Sequence, residues 1–591
     1  MSNPYPTKTN IGSRLMNLVL RKRKVPEGSF LDLGGVHLPL SPNLQRGNLL
    51  ASGSADSGLT SGVVIPMIDR LIAEYGNSTA RIGGLIIDPE GGCADQVAYF
   101  MAQAGRNPVE ELVCLRPTSD LPLVRFRDPA SGKCYFVNGQ PTSPTARSEA
   151  ARLIERGQAG VPKRERINPE ICSRHERDSS AAIPVLRNLR CRVTSEDVRY
   201  LGWRFTNDSR STLVENSATG EGATRPAPTE LVFEDMIRRP LGERFNPGAS
   251  AAMPAEVYAD MICDVFFPPT GRGPVFAKVK PAIVAACRLC SLTGRTPSLS
   301  ELCRLLVNDT LLGERLEQVR LLPGAKSAGS RAAVGAELSR FFAEWTGLDS
   351  RSRHDLVALF TNAFGAFVTN EALARTFCGE PTFDFAGVLN TGKIVVADLS
   401  RGPDPRALGA LLEADFQRTV RARRVSSTLN RSRMLLNVVP LWSYLPASGR
   451  GALPGGFIRE GAQTGAFNLL TAGGAEDPWV PGDQPLIEAA LAPVANFVWL
   501  RCDHPAWNAV AAKLHGRCQP GDFAGLDPWD AVVRAQTGPA GRSRDAAVSL
   551  TPSPATAPEI QAKIAEFMRD FMRDWIERGL KKQRISVASL G

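Results

Sequence analysis

The chain has 591 residues, of which 43% are apolar and 22% are charged, values typical of a globular protein of three or four domains with a sizeable core. Its formal net charge of +10 suits an acidic partner such as DNA or a membrane surface without requiring one. The 12 cysteines follow no framework spacing, and neither a signal-peptide pattern nor an apolar run of about 18 residues is present. We therefore expect a reduced cytoplasmic protein that inserts no helix into a membrane.

Residues 1–47 form a lead-in in which short alternating stretches predict small strands. The next segment, 48–61, has the sequence NLLASGSADSGLTS and places Gly53, Gly58 and Thr60 on the frame G-x-x-x-x-G-K-[ST]. The apolar residues before the first glycine can end a strand, and those after the threonine can open a buried helix. This pattern predicts a phosphate-binding loop between a strand and a helix.

The lysine of this loop is missing. Leu59 occupies its position and cannot supply the positive charge that reaches the phosphates of a nucleotide. Asp56 adds a carboxylate that would repel a triphosphate at close range. We expect no cofactor here, although weak binding of ATP with magnesium stays open. The residues that we interpret as a vestigial phosphate loop are Gly53, Asp56, Ser57, Gly58 and Thr60.

The rest of the chain predicts an α/β fold that is interrupted twice. Residues 48–125 alternate strand and helix patterns, which indicates a mostly parallel sheet covered by helices. A polar, arginine-rich insertion follows at 126–250, and an all-α domain follows at 251–378. Strand patterns return in 379–535, so we expect the second half of the sheet there.

The C-terminal part is predicted to be a linker and a helix. Residues 536–556 are rich in Gly, Ser, Pro and Ala, which is typical of a linker. Residues 557–584 carry one strong apolar stripe at helical spacing. The stripe either docks on the chain's own body or binds a partner. Its aromatic members are Phe567, Phe571 and Trp575.

The order of several short motifs resembles that of a known family. They are LIIDPEG at 85–91, RFNP at 244–247, FDF at 383–385 and GKIVVADLSRG at 392–402. In this order, over about residues 35–525, the chain resembles the cytoplasmic ATPase domain of type IV coupling proteins of the TraG/TraD kind, relatives of the HerA/FtsK translocases. The resemblance implies a RecA-like P-loop core with an all-α insertion, hexameric rings and a place in a DNA-transfer or secretion assembly.

The residues that carry the chemistry of that family are replaced. An alignment without gaps puts Asn437 and Val438 at the acid pair that orients magnesium and the attacking water, and Gly473 near the polar sensor. With Leu59, these replacements remove several charge-stabilising groups, each typically worth ~10²–10³ in rate. We therefore predict a pseudo-ATPase without catalytic residues.

Two acidic residues, Asp88 and Asp398, are present at the ends of predicted strands. They either form a replacement metal site or cap the loop or helix that follows, and we favour capping. The cysteine and histidine spacings match no standard zinc module, so we expect no metal. The spacings concerned are Cys287 with Cys290, and Cys502, His504, His515 and Cys518.

A cluster of arginines forms the densest basic region of the chain. It is either a solvated helix face or a salt-sensitive contact to DNA phosphates, and no aromatic residues are interleaved to stack bases. Its members are Arg418, Arg421, Arg423, Arg424, Arg431 and Arg433.

These patterns lead to one leading hypothesis and two alternatives. The leading one is a catalytically inactive scaffold or interaction subunit. Its partners would be other proteins, among them an active ATPase of the same kind, and any membrane association would arise through these partners. One alternative is a member of a mixed hexameric ring that donates Arg401, Arg406 or Arg459 to an active neighbour. The other is an ATP-independent DNA-binding protein.

Overall fold

The structure is a computed structural model. The residues that it describes are 29–33, 36–39, 48–54, 56–75, 81–117, 123–127, 134–138, 204–206, 232–236, 243–250, 253–267, 277–321, 330–400, 402, 404–426, 435–447, 456–473, 484–516, 518–536, 543–550, 552–553, 555 and 557–568. The chain divides into two compact units, one formed by 1–117 with 243–561 and the other by 118–242 with 562–591.

Fifteen strands are described in the two units. In chain order they are β1 Ser29–Leu33, β2 Val36–Pro39, β3 Leu49–Ser52, β4 Gly83–Asp88, β5 Leu112–Leu115, β6 Leu123–Arg127, β7 Cys134–Asn138, β8 Arg204–Thr206, β9 Val232–Met236, β10 Ile394–Asp398, β11 Leu435–Pro440, β12 Ala466–Ala472, β13 Asn496–Leu500, β14 Asp530–Gln536 and β15 Ser543–Ser549.

The α-helices are numbered in chain order. They are α1 Ile65–Tyr75, α2 Cys93–Gln103, α3 Pro108–Glu111, α4 Ala255–Phe266, α5 Val279–Leu292, α6 Leu299–Val307, α7 Asp309–Leu321, α8 Ser330–Thr346, α9 Ser350–Thr369, α10 Glu371–Cys378, α11 Phe385–Thr391, α12 Pro405–Ser426, α13 Leu441–Ala447, α14 Gly456–Thr464, α15 Gln484–Leu491, α16 Pro505–His515 and α17 Pro520–Ala524.

The first unit is built on a nine-stranded sheet with the order β15-β14-β13-β3-β12-β11-β4-β10-β5. The seven strands from β13 to β5 are parallel, and β14 and β15 continue the sheet in antiparallel fashion. The parallel strands are mostly apolar and buried, as expected where helices cover both faces of a sheet; all five residues of β10, for example, are buried. The predicted α/β fold with a mostly parallel sheet is therefore confirmed.

Two segments that are far apart in the chain interleave in this sheet. β3 lies between β12 and β13, and β4 lies between β10 and β11. The predicted lead-in strands β1 and β2 pair with each other in an antiparallel hairpin. The prediction that the sheet resumes after an insertion is thus confirmed.

Every element described between 253 and 378 is helical. Ser298 caps α6 by accepting a hydrogen bond from the Glu301 N–H at 3.3 Å. Phe360, Phe364 and Phe367 follow one face of α9 and are buried, which places the core of this region on that face. Helical periodicity in the sequence predicted these helices correctly.

The second unit contains an antiparallel sheet with the order β8-β7-β6-β9. The predicted boundary at 125/126 falls inside β6, and the unit begins at 118 instead. A helix is described over 558–568, within the predicted C-terminal helix, and Phe567 on it is half-buried. Phe571 and Trp575 lie outside the described residues.

The predicted linker 536–556 is wrong over much of its length. β15 occupies Ser543–Ser549 and pairs with β14 along its whole length. Small residues suggested a linker, but a strand at the edge of a sheet needs few large apolar side chains because only one face is covered. Val548 and Leu550 are buried, as are Ser553 and Ala555.

Within the described ranges, no single helix has the length and apolar character needed to cross a membrane. One bent pair of helices, α9 and α10, passes the same test by length and composition alone. The two helices meet at 97°.

Candidate functional site

The glycine-rich segment follows β3 and is anchored to the neighbouring strands. The Gly53 N–H donates to Ala472 O at 2.9 Å, and the Ser54 N–H donates to Arg501 O at 2.8 Å. Ala472 ends β12, and Arg501 follows β13. The loop therefore lies at the carboxyl edge of the central parallel strands, where ligands of such sheets usually bind.

The backbone then turns sharply into a helix. Asp56 has φ 62° and Gly58 has φ 94°, so both adopt the left-handed conformation. A π-helical turn, Leu59–Val64, comes next and continues directly into α1. The predicted order of strand, glycine loop and helix is confirmed, and single π-helical turns are frequent at functional sites.

The side chains of the loop do not form a charged site. Ser57 is fully buried, whereas Asp56 and Thr60 are exposed and Leu59 is half-buried. None of the residues from 53 to 62 is basic. The Ser57 N–H donates to Ser54 O at 3.2 Å, so this loop amide is already bonded within the chain.

A tryptophan that the sequence did not single out packs against the loop. A Cβ atom on Gly58 would lie 2.7 Å from the ring of Trp529, which shows how closely the ring covers this glycine. The Trp529 N–H also donates to Ser57 O at 3.1 Å, and the Ser553 N–H donates to Ser61 O at 2.8 Å. The segment around β14 and β15 therefore braces the loop from outside. The sequence around Trp529 does not predict this contact, because Trp529 and Gly58 are far apart in the chain and meet only in the folded protein.

Gly473 lies directly beside the start of the loop. A Cβ atom there would be 2.4 Å from Gly53 O and 3.2 Å from Leu59 Cδ2. A side chain at this position would therefore displace backbone atoms. The end of β12 thus lies against the loop, and close packing explains the glycine.

Asp88 and Asp398 lie side by side at the ends of β4 and β10. Asp88 Oδ1 accepts from the Gly91 N–H at 2.8 Å, and its Oδ2 accepts from the Cys93 N–H at 2.8 Å, at the start of α2. Burial raises the pKa of Asp88, and the neighbouring Asp398 carboxylate adds to this effect. These bonds correspond to the capping interpretation.

Asp398 is held by cationic and hydroxyl groups. Arg116 Nε and Nη2 lie 2.8 and 2.6 Å from its Oδ2, and Ser400 Oγ lies 2.6 Å from its Oδ1. Across the described ranges, no group of three or more His, Cys, Asp or Glu is placed to hold a metal ion.

The register of the sheet corrects the alignment of Asn437 and Val438 with a magnesium-binding acid pair. Thr471 of β12 pairs with Pro440, and the next residue of β12 pairs with Ser52 at the start of the loop. The end of β11 that lies level with the loop is therefore Pro440 and the leucine after it. Asn437 and Val438 lie in the middle of β11 and are buried. The end of β11 still carries no carboxylate.

Asn437 belongs to a row of buried asparagines that crosses the sheet. Asn437 pairs in register with Asn468 of β12, and Asn48 immediately precedes β3. Asn437 Nδ2 donates to Asn468 Oδ1 at 2.8 Å, and Asn468 Nδ2 donates to Asn48 Oδ1 at 2.8 Å. Each is at most 2% exposed. The row fixes the register of three strands, because a shift of one residue would break every bond.

Glu413 of α12 ends this row. Its Oε1 accepts from Asn437 Nδ2 at 2.9 Å and from Gln417 Nε2 at 2.7 Å. Complete burial raises the pKa of Glu413 to about 7, partly offset by these two hydrogen bonds. The sequence shows Glu413 only as one acid in the apolar stretch LGALLEA, so its role was missed.

The described arginines of the basic cluster bond within the chain. Arg418 binds Asp415 at 2.7 Å, and Arg421 binds Glu460 at 2.9 Å, while Arg423 is buried. This arrangement is that of a structural helix face. The other members, the side chain of Arg424, Arg431 and Arg433, lie outside the described residues.

The three candidates for an arginine donated to a neighbour differ in placement. Arg459 is exposed on α14, and Arg406 is half-buried at the start of α12. Arg401 lies outside the described residues.

The cysteines and histidines serve separate contacts. Cys287 and Cys290 are buried in α5, and burial raises the pKa of both thiols. His504 caps α16 by accepting from the Trp507 N–H at 3.4 Å, whereas His515 packs on the ring of Trp499. Cys518 Sγ lies 3.9 Å from His515 Nε2, and Cys502 is buried.

Together, the fold and this site define an α/β protein in which a strand, a glycine-rich loop and a helix follow one another as in a phosphate-binding loop. The positive charge of such a loop is missing because Leu59 occupies the lysine position. The chain matches no protein-family profile and no curated protein sequence. It is similar to solved structures of the bacterial conjugative coupling protein TrwBdeltaN70 in unbound form, with 13% identity, 91% of each chain covered and a TM-score of 0.44. It is also similar to TrwB in complex with ADP and Mg²⁺, with 12% identity over 89% of this chain and 90% of that chain and a TM-score of 0.43. A third is VirB4 of Thermoanaerobacter pseudethanolicus, with 12% identity over 91% of this chain and 99% of that chain and a TM-score of 0.41.

Proposed function

We propose that this protein is a catalytically inactive relative of the coupling-protein ATPases and that it acts as a scaffold or interaction subunit of a DNA-transfer, secretion or DNA-processing assembly. The observation that carries the proposal is the phosphate loop itself. It retains its place in the fold, but Leu59 stands at the lysine position, and the backbone of the loop is hydrogen-bonded to Ala472, Arg501 and Trp529. The order of sequence motifs supports the kind of assembly.

Phosphoryl transfer depends almost entirely on positioned charge, since the transition state spreads negative charge over the transferred group. Here Leu59 replaces the cation, exposed Asp56 adds negative charge, and the end of β11 next to the loop has Pro440. Asp88 and Asp398 are engaged by backbone N–H groups, an arginine and a serine. In the part of the chain that the structure describes, the site therefore lacks the lysine charge and the acid pair on which turnover would depend.

The test is calorimetric titration of the full chain with magnesium-ATP, combined with a hydrolysis assay. We expect no binding at millimolar nucleotide and no turnover. The variant Leu59→Lys with Asp56→Gly restores the charge pattern and serves as a positive comparison, in which phosphate affinity should rise by about tenfold or more. Turnover by the natural chain would refute the proposal. Tight binding without turnover would make the chain a nucleotide-gated scaffold.

Direct DNA binding through the arginine cluster is not favoured by the contacts. Arg418 and Arg421 already pair with carboxylates, which reduces the positive charge that they offer to phosphates. We therefore place protein partners first.

A further inference from the structure

The residues that follow β15 lie against the helical turn that comes after the phosphate loop. The Ser553 N–H donates to Ser61 O at 2.8 Å. A Cβ atom on Gly62 would lie 3.3 Å from Leu550 Cδ1, so that side chain covers the backbone of the turn. Leu550 and Ser553 are both buried. This part of the chain therefore closes one side of the turn.

A proline explains why Ser61 O takes a donor from so distant a residue. Within a helix, this oxygen would accept from the N–H four or five residues later. The first of these belongs to Ile65, which donates to Thr60 O instead. The second position is Pro66, which has no N–H. The Ser553 N–H supplies the donor that the helix cannot.

The same residues are tied to the first turn of the helix 558–568. The Ala555 N–H donates to Ser553 Oγ at 3.2 Å, and Gln561 Nε2 donates to Ala555 O at 2.5 Å. Ile560, one residue before that glutamine, is buried. A series of hydrogen bonds thus runs from the helix through Ala555 and Ser553 to the turn after the loop.

This connection is weaker than the core of the sheet. In the described part of the chain, a single backbone hydrogen bond, from Ser553 to Ser61, joins these residues to the turn. Each residue of β10, by comparison, is buried, and the strand is paired on both sides. A region with few buried contacts opens at a lower free-energy cost than the core does. We therefore expect this segment to open locally while the sheet stays folded.

We propose that this segment is a latch that sets the order of the turn after the phosphate loop. While the latch is docked, Ser61 O has its donor and Gly62 is covered; when the latch is withdrawn, water reaches both and the turn loosens. The proposal deepens the one made above and rests on it for one point, that no nucleotide orders the loop. The members of the latch are Leu550, Ser553, Ala555, Ile560 and Gln561.

The latch links the binding of a partner protein to the state of the loop. Ile560 is buried while the latch is docked, so a protein that binds this side of the helix has to displace it. Displacement also takes the Ser553 N–H away from Ser61 O. By linkage, a partner that prefers the withdrawn latch loosens the turn, and a tighter turn weakens the binding of that partner. The loop then responds to a protein, where a functional phosphate loop responds to a nucleotide.

The experiment measures hydrogen exchange in the full chain at two amides of the turn. They are those of Gly62 and Ile65, which donate to Gly58 O and Thr60 O. Ile560→Asp should withdraw the latch, because a carboxylate opposes burial at this position. We expect exchange at both amides to become faster by about tenfold or more.

Two further variants and one reference amide complete the design. Gln561→Leu removes the bond to Ala555 O and should speed exchange at Gly62 by about threefold. Ala565→Asp introduces the same charge at an exposed site of the same helix and should leave exchange unchanged. Exchange at Val396, in the centre of β10, should stay as it is in the natural chain.

Unchanged exchange at the two turn amides in both Ile560→Asp and Gln561→Leu would overturn the proposal, and so would an equal acceleration by Ala565→Asp. If Ile560→Asp also speeds exchange at the β10 reference, the core has opened; Gln561→Leu then decides alone, and no acceleration in that variant overturns the latch. Magnesium-ATP added to the natural chain should leave exchange in the turn unchanged. Slower exchange with ATP would refute the inactive loop, whereas the variants still decide on the latch.

Discussion

At the scale of single residues, the loop region is determined by close packing. Gly473 has no room for a side chain beside Gly53 O, and Gly58 has none beside the ring of Trp529. The sequence places Gly58 in the loop and Gly473 near the polar sensor of the resembled family, but the reason for each glycine is a long-range contact.

Gly473→Ala should lower the free energy of unfolding by about 1–3 kcal/mol, because the new Cβ would overlap Gly53 O and shift the backbone. Urea unfolding measures this change. Gly313→Ala on α7 is the matched control, since a Cβ there meets nothing within 4 Å, and it should stabilise the helix by up to about 1 kcal/mol. Equal effects of the two variants would contradict the packing argument.

Glu413 should make stability depend on pH. Because its pKa rises from 4.5 to about 7 on folding, the folded protein retains a proton that the unfolded chain loses between these values. Its contribution is therefore fully present below pH 4.5 and is lost as the pH rises toward 7, by on the order of 3 kcal/mol. Asp69, whose pKa is raised to about 6 by burial, adds a slope of the same sign.

Glu413→Gln should remove the part of this slope that Glu413 contributes, leaving that of Asp69, and should stabilise the protein relative to the natural chain above pH 7. Urea midpoints measured from pH 4.5 to 8 give the result. Glu314→Gln, an exposed site on α7, should leave the slope unchanged. If stability depended on pH with the same slope in the natural chain, Glu413→Gln and Glu314→Gln, Glu413 would not be the titrating group.

At the scale of elements, β14 and β15 extend the sheet and hold the loop. Trp529, which precedes β14, has φ 74°, a rare conformation for a large residue that its backbone bonds to Ser57 and Leu550 maintain. The protein thus supplies the ordering that a nucleotide often supplies to a phosphate loop.

Trp529→Ala should loosen the loop more than it loosens the rest of the core. We expect about 2 kcal/mol of destabilisation and faster hydrogen exchange at the Ser61 and Gly62 amides, with little change at the centre of β10. Trp442→Ala, a half-buried tryptophan on α13, is the control and should leave exchange at the loop unchanged. Uniform acceleration across the sheet would mean that Trp529 does not act locally.

The strands with continuous apolar sequences could be predicted from the sequence. The runs LIID, IVVAD and NFVWL give β4, β10 and β13 because parallel strands buried on both faces need continuous apolar residues. β15 was missed because an edge strand can be built from small residues. The asparagine row was missed because its bonds join different strands, with Asn468 and Asn48 420 residues apart in the chain. An ungapped alignment also could not detect the register of β11.

At the scale of the whole molecule, the two interruptions of the sheet differ. The chain leaves the first unit after Pro117 and re-enters it at Glu243, where the Glu243 N–H donates to Cys114 O at 2.9 Å. The two ends of the excursion 118–242 are therefore close together. The helical region 253–378 instead shares its aromatic core with the rest of the unit, since Phe245 contacts both Phe377 and Phe385.

Replacing 118–242 with a short Gly/Ser linker should leave the first unit folded, because Cys114 and Glu243 are hydrogen-bonded across the gap and closing so short a gap costs little entropy. Size-exclusion chromatography and cooperative thermal unfolding measure this outcome. Replacing 253–378 in the same way should abolish cooperative unfolding, because it exposes Phe245 and Phe385, which are 1% exposed in the intact protein. If both deletions unfold the protein, the excursion contributes to the core of the first unit; if neither does, the helices and the sheet do not share one core.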